Sequence, residues 1–409
     1  MPIQLQDYQD VAGPGVIEEL RVLADRVAGR KIQHINSTPV GGGVAEILTR
    51  LVPLFRELGL DTSWDVIKGD QAFFSVTKAF HNALHGKPEE ITDAMFEIFR
   101  ANTEMNLRDI NFTGDVILVH DPQPAGLILR KPEIGRQWVW RCHIDVSAPQ
   151  PAVWEFLRPY VEQYHAAIFS MPDFAQRLPI CQFRVAPSID PLSDKNKPLD
   201  RSYIDGVLEK YKIDPGRPIL TQVSRFDRFK DPLGVIEAYR MVKRRFKCQL
   251  VLAGGGAADD PEGEEVLREV QEKAADDPDI HVLLLPPFSD LEINALVRAS
   301  TVVIQKSVRE GFGLTVSEAL WKKKPVIGGA VGGIKLQIID GVTGFLVHSP
   351  EGAANRIAQL LGDRRLRETL GENGHLHVKE NFLLTRHVKD YILTVLALQH
   401  PGESVVRLS

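Results

Sequence analysis

A short apolar run, Thr301-Val-Val-Ile304, leads straight into Gln305-Lys-Ser-Val-Arg-Glu310-Gly-Phe-Gly313-Leu-Thr-Val-Ser-Glu318-Ala-Leu320. A threonine and three apolar residues, all β-favouring, followed by a glycine-punctuated loop read as a buried parallel strand. The pattern after Gly313 then turns helical, with Leu314, Ala319 and Leu320 among its apolar positions. A strand, a glycine loop and a helix start confine this part of the chain to an α/β sheet. They also define a site. A helix start offers unpaired N–H groups and a partial positive charge, which suit an anion. Gly311 and Gly313 let a ligand approach the backbone, and the carboxylates of Glu310 and Glu318 can accept hydrogen bonds from sugar hydroxyls. Phosphate flanked by two polyols is the outline of a sugar nucleotide.

The same unit recurs along the chain. A helix over 14 to 30 precedes a strand, Lys31 to Ser37, then Gly41-Gly-Gly43 and an amphipathic helix with Val44, Ile47, Leu48, Leu51, Phe55 and Leu58 on one face. Position 46 is Glu, so this is no dinucleotide fingerprint. It reads as a tight turn or a diphosphate contact through Gly42 and Gly43. Phe73, Val76, Thr77, Phe80 and Leu84 form a buried helical stripe, while Trp64, Lys68 and Asp70 before it are weak candidates for holding a sugar acceptor. Val116-Ile-Leu-Val-His120-Asp121 and Trp138-Val-Trp-Arg141-Cys-His143 are strands that end in polar residues. Ligands of open parallel sheets bind outside those carboxyl ends. A histidine there is either a satisfied core residue or a ligand.

The alternation is interrupted at Asp194-Lys-Asn-Lys-Pro-Leu-Asp200, a charged stretch with the character of a linker. It resumes with Pro218 to Ser224, whose end carries Arg225-Phe-Asp-Arg-Phe-Lys230-Asp231-Pro232. Asp231 can cap a helix that begins at Pro232. Arg225 and Lys230 then suit a diphosphate, one as a fork and one as a point charge. Gln249 to Ala253 and His281 to Leu285 read as further strands, Asp340 to Val347 as a hairpin-like piece, and helices close the chain from Pro350.

Bulk properties narrow the class. The 409 residues are enough for two or three domains, and 44% hydrophobic with 25% charged residues describes a globular protein. A net charge of −5 with interspersed signs argues against a nucleic-acid or membrane surface. Cys142, Cys181 and Cys248 are scattered and read as free thiols of a reducing cytosol. No signal peptide and no membrane span is visible.

Glu310, seven residues and Glu318, with Gly-Phe-Gly after the first, resembles the signature of retaining glycosyltransferases of family 4. Ser224-Arg-Phe-x-x-x-Lys-Asp231 resembles that family's diphosphate motif, and Pro325-Val-Ile with Gly332-Gly333 its glycine segment. The order of strand, His-Asp, strand, His resembles its trehalose-forming members, as do His34 to Glu46 and His120 to Pro124. The family resembled is the trehalose synthases that transfer glucose from a nucleotide donor. The resemblance implies the GT-B fold: α/β, with two Rossmann-like, doubly wound parallel-sheet domains facing across a cleft. The expected acceptor-side domain is 1–192 and the donor domain 193–385, with a last helix, about 386–409, crossing back to the first.

The resemblance implies roles. Arg225, Lys230, Gly42, Gly43, the backbone of Leu314 and Thr315, and Glu318 would hold the donor's diphosphate and nucleoside. Glu310, Gly311, Phe312 and Gly313 would hold its sugar. His143 and Asp121 would stand at the reacting centre with Glu310. UDP-, ADP- or GDP-glucose would be the donor, glucose the acceptor and trehalose the product, in a reversible, retaining reaction. No cofactor is obligatory, with Mg2+ at most stimulatory, and a cytoplasmic homodimer is the expected form. The competing readings are another family 4 enzyme (a sucrose or glucan synthase), an NAD-dependent dehydrogenase lacking its fingerprint, and a non-catalytic sugar-nucleotide binder.

Overall fold

The computed structural model describes residues 4–40, 43–255 and 261–403. They divide into two compact units, 1–187 with 384–409, and 188–383. Each is built on one six-stranded sheet in which every pairing is parallel.

In the first unit the strands are β1 (Lys31–Asn36), β2 (Asp61–Val66), β3 (Val116–His120), β4 (Gln137–Arg141), β5 (Ala166–Phe169) and β6 (Cys181–Arg184), in the order β2-β1-β3-β4-β5-β6. β3, β4 and β5 are buried almost throughout, as strands covered on both faces must be. The edge strands β2 and β6 are partly exposed, and neither has the apolar run that marks the others. Helix α1 (Pro14–Arg26) starts with proline at its first position, and α2 (Gly43–Glu57) buries Ala45, Leu48, Leu51, Val52, Leu54 and Phe55. Helix α3 (Gln71–Leu84) is capped by Asp70, whose Oδ1 accepts from Phe73 N–H at 2.8 Å. It buries the expected stripe of Phe73, Val76, Thr77, Phe80 and Leu84.

In the second unit the strands are β7 (Ile219–Val223), β8 (Gln249–Gly255), β9 (Ile280–Leu285), β10 (Val302–Gln305), β11 (Val326–Gly329) and β12 (Gly344–Val347), in the order β12-β11-β10-β7-β8-β9. The 340–347 piece is not a hairpin. Asp340 and Gly344 form a lone bridge across a turn, and β12 then pairs parallel with β11. Gly341 N–H donates to Gly344 O, which tightens the turn without an antiparallel ladder. Helix α4 (Pro232–Lys243) begins as the sequence predicts, with Pro232 first and Asp231 Oδ1 accepting from Gly234 N–H at 3.1 Å. Helix α5 (Leu314–Trp321) follows β10.

The last helix, α6 (Leu384–Gln399), belongs to the first unit, and packs on α1 and α2. Arg386 anchors its start by donating to the carbonyls of Ala186 and Pro187. Residues 404–409 of the expected closing segment lie outside the described residues.

Each strand order reverses once, between β1 and β3 in the first unit and between β7 and β10 in the second. At such a reversal the crossing connections leave in opposite directions and open a crevice at the carboxyl ends. The topology therefore singles out the residues after β1 and β3, and those after β7 and β10.

Candidate active site

In the second unit the switch point gathers the loops after β7 and β10. Lys230, from the first, donates to Glu310, from the second, at 2.8 Å to Oε1 and 2.7 Å to Oε2. Eighty positions apart in sequence, the two form an ion pair whose side chains are only 18% and 8% exposed. Ser307 Oγ donates to Glu310 Oε2 at 3.0 Å, and Gln305 Nε2 lies 3.5 Å from it. Gln222 Nε2 holds the Lys230 carbonyl at 2.7 Å. Beside them, buried Lys306 pairs with Asp231, the cap of α4. Asp231 stands at φ 51°, a conformation Asp tolerates better than most residues. Arg225 is 61% exposed on its side chain and lies 3.2 Å from Asp227.

Helix α5 opens at this cluster. Its cap is Gly313 in the left-handed region, at φ 80°, which suits glycine. The first helical N–H groups, of Leu314 and Thr315, have no partner among the described residues, whereas Ser317 N–H is taken by Gln337 Oε1. The helix start thus presents two open donors beside Lys230 and Glu310, with buried Glu318 one turn further in. Lys322 donates to Asn196 Oδ1 and to the Glu318 carbonyl. Burial pulls its ammonium down to about 7, against the opposing pull of Glu318.

The Glu310 loop owes its shape to a second glycine segment. Gly332, at φ 45°, packs so closely that a Cβ on it would lie 1.6 Å from the Glu310 carbonyl oxygen. Gly333 N–H donates to Gly311 O at 3.1 Å. Phe312 has turned inward, with its ring 5.7 Å from that of Phe382 and its carbonyl held by Gln337. Of 311–313, Gly311 and Gly313 therefore bring backbone to the site, while the Phe312 side chain anchors the loop.

In the first unit the matching switch point holds imidazoles. His34 (β1) and His120 (β3) approach Nδ1 to Nε2 at 2.9 Å, and His120 Nδ1 meets Nε2 of His143, just beyond β4, at 2.9 Å. The His120 and His143 rings stack at 5.2 Å, and His34 meets Tyr391 of α6 edge-on. Burial pushes His34 down to about 3 and, with the charge of Arg141 contributing, holds His120 and His143 well below the ordinary range. Asp121 follows His120 at φ 67°. Its Oδ1 accepts from His143 N–H at 2.7 Å, and its carbonyl from Trp140 Nε1 at 3.0 Å. Burial raises its carboxyl to about 6.

Other sequence candidates have structural work. Asp70 caps α3, Lys68 Nζ pairs with Asp109 at 2.8 Å, and Trp64 Nε1 donates to Asn36 Oδ1. Gly43 is exposed at the start of α2, and Gly42 lies outside the described residues. At the amino end of β9, away from the strand carboxyl ends, Asp277 and Asp279 are held by Lys243 and Arg217. Gln305 and Ser307, which hold Glu310, and Gln222, which holds the Lys230 carbonyl, are given no role by the sequence, and neither are His34 and His120. The available signal was three histidines at or near the carboxyl ends of adjacent strands.

Two family models match. Residues 34–176 fit "Trehalose synthase, N-terminal domain" and residues 206–377 "Glycosyl transferases group 1". Solved structures share the fold over most of their length. The sucrose-phosphate synthase of Thermosynechococcus elongatus is 17% identical with a TM-score of 0.69, covering 91% of this chain and all of that one. The trehalose-phosphate synthase of Burkholderia xenovorans is 14% identical with a TM-score of 0.70, covering 90% and 100%. Two Rossmann-type units of this kind define a glycosyltransferase of the GT-B fold. Trehalose synthase of Thermococcus litoralis is 46% identical, covering 95% of this chain and 96% of the relative, and that of Rubrobacter xylanophilus is 43% identical over 94% and 95%. The chain belongs to the trehalose synthase family.

Proposed function

We propose that this protein makes trehalose by transferring glucose from a nucleoside diphosphate glucose to free glucose, reversibly and with retention. The observation that carries the reading is the strand-end cluster of the second unit: Lys230 on Glu310, two open N–H groups at the start of α5, and Glu318 one turn inside. In this reading the second unit holds the donor and the first the acceptor. Lys230, Arg225 and the Leu314 and Thr315 N–H groups receive the diphosphate, Glu318 the ribose hydroxyls, and Glu310 the hexose hydroxyls. An Anabaena relative in fold, HepE, was solved with UDP-glucose, which is consistent with such a donor.

The chemistry follows from the charges. The bond between C1 and the phosphate oxygen breaks, and the leaving diphosphate gains negative charge beside Lys230 and the helix start. A preorganised donor of this kind contributes about 3–4 kcal/mol to lowering a barrier. The acceptor hydroxyl attacks C1 from the face the phosphate leaves, and its proton passes to a phosphate oxygen, so the anomeric configuration is retained. Glu310 stays paired through the hexose hydroxyls and forms no glycosyl ester. His143 contacts a sugar hydroxyl near C1, and Asp121 holds the His143 backbone in place. No metal enters this scheme, and a homodimer in the cytoplasm is the proposed form.

Trehalose phosphorylase relatives favour one competing reading. That of Pleurotus pulmonarius is 29% identical over 92% of this chain and 58% of its own length. The test is to incubate the protein with glucose and UDP-, ADP- or GDP-glucose, or α-glucose 1-phosphate, with and without Mg2+ or EDTA, and to identify products by anomeric NMR signals. A single α,α-1,1 product from a nucleotide donor is expected. Product from glucose 1-phosphate alone would transfer the reading to phosphorolysis. A trapped glycosyl-Glu310 adduct would sink the same-face mechanism.

A further inference from the structure

The three histidines of the first unit form a chain with one direction. His120 has an imidazole nitrogen against each of its own, at 2.9 Å on both sides. A neutral imidazole has one N–H and one lone pair, so His120 donates to one neighbour and accepts from the other. Neutrality is enforced by burial, by the guanidinium of Arg141 and by the neighbouring His387. The other groups around the chain are Tyr391 and Arg386 on α6, and Asp121, which bonds the backbone of His143 and not its ring.

Two directions exist, and the far end decides between them. If protons sit on Nε2 throughout, His34 carries an N–H on a buried nitrogen with no partner among the described residues. If they sit on Nδ1 throughout, that nitrogen carries only a lone pair. Orphaned N–H donors are rarer in proteins than under-used acceptors. The second arrangement has His34 Nδ1–H donating to His120 Nε2 and His120 Nδ1–H donating to His143 Nε2. It leaves His143 with its proton on Nδ1, which bonds no described residue. Among the described residues the buried end at His34 has no polar exit, so the chain is no path for protons through them.

We propose that His120, backed by His34, is a positioning residue that locks His143 in its Nδ1–H form, so that His143 meets the sugar as a hydrogen-bond donor and not as a base. This rests on the proposed glucosyl transfer for its catalytic consequence, though the lock does not. A donor to a sugar oxygen fits the mechanism above, in which the leaving phosphate takes the acceptor's proton and no protein base is needed.

Nitrogen-15 NMR of the histidine side chains in the full chain reads the lock directly, with His143→Gln assigning the signal. The expected result is a proton on His143 Nδ1 at pH 7.5. His120→Phe should release the lock and lower kcat about 10–100-fold, the scale on which partners that orient metal-bound histidines act, while the affinity for UDP, which lacks the sugar, stays unchanged by calorimetry. His120→Gln, whose amide can both accept and donate, should restore the Nδ1–H form and most of kcat. A proton on Nε2 of His143 in the unaltered protein overturns the proposal, and this reading stands even if His120→Phe does not fold. Equal loss of kcat in both variants with the His143 tautomer unmoved also overturns it, since packing alone would do that. Absence of turnover by the unaltered chain would count against the glucosyl-transfer reading, and the NMR result would still decide the lock.

Discussion

Behind its strand ends the first unit carries a neutral run of imidazoles, His34, His120 and His143, while the second carries ion pairs, Lys230 with Glu310 and Lys306 with Asp231. Both sit where a parallel sheet reverses its strand order. The same backbone plan thus supports two kinds of polar interior. A run of neutral imidazoles beside the buried guanidinium of Arg141 offers fixed donors and acceptors that can orient an uncharged sugar. An interior of cations and carboxylates can exchange partners with a charged ligand: a diphosphate reaching Lys230 would take over from Glu310, which is then released toward hydroxyls. The fold sets the place of each site, and local charge sets what it can hold.

The comparison is broken most severely by acid. A histidine whose folded pKa is depressed contributes stability above about 6.5 that is lost as pH falls, because the unfolded chain takes up protons first. His34, held near 3, loses about 2 kcal/mol by pH 5, from 1.5 pH units at 1.36 kcal/mol each. His120, His143 and His387 move in the same direction. In the second unit Asp279, held low chiefly by Lys243 and then Arg217, keeps its contribution until pH drops into the ordinary carboxylate range and loses it below. Hydrogen exchange at pH 7 and pH 5 should therefore show first-unit amides losing protection first. Equal loss in both units would mean that the strand-end imidazoles of the first unit do not set the order of acid unfolding, since burial also lowers His281 and His375 of the second.

Next in size is the loss of a charge from the second unit. Lys230→Met leaves Glu310 mostly buried without its cation. If Lys230 meets the leaving diphosphate, kcat/KM should fall about 10²–10³-fold, the cost of one preorganised donor. Glu310→Gln should weaken sugar selection more than nucleotide binding, measured as the ratio of UDP-glucose to UDP affinity. Comparable loss of UDP binding in both variants would assign Glu310 to the phosphates.

A smaller effect should follow from Gly332→Ala. The new Cβ would collide with the Glu310 carbonyl oxygen at a positive φ. Overpacking of this kind costs about 1–3 kcal/mol, and the movement would displace the Glu310 loop. A variant that keeps both its melting temperature and its kcat would show that the loop yields freely.

Much of this was legible in the sequence, and the gaps have physical causes. Strands covered on both faces, such as β3 and β10, announce themselves as apolar runs. The edge strands β2 and β6 escape notice because one side of each needs no burial, and their residues, Asp61 to Val66 and Cys181 to Arg184, look like loop. The cap at Asp231 and the helix after Gly313 are local chemistry, so they could be read. The pairing of Lys230 with Glu310 spans 80 residues and the contact of His34 with His120 spans 86. Such contacts are fixed by strand order, which no local pattern encodes. The 340–347 turn misled for the opposite reason: glycines at 341 and 344 suggest a hairpin, but parallel pairing with β11 decides the fold.

The smallest predicted effect runs against the histidines and so sharpens the contrast within the first unit itself. Asp121 has its folded pKa raised to about 6 from 3.8. A raised carboxyl binds its proton more tightly in the folded state, so the associated stability is whole below about 3.8 and is lost as pH rises through 6. Histidine burial favours higher pH over much of the same range. Asp121→Asn separates the two, because asparagine tolerates the φ of 67° and its Oδ1 can still accept from His143 N–H. The variant should gain on the unaltered protein by about 1–1.5 kcal/mol between pH 5 and pH 7.5, from the two-state titration of a single group. Urea unfolding at the two pH values measures the difference, and the histidine contribution, present in both proteins, cancels. A flat difference would mean that Asp121 stays ionised at pH 5, with its charge stabilised more strongly than burial penalises it. In that case the carboxylate would be poised to accept a hydrogen bond from the sugar rather than to keep its own proton.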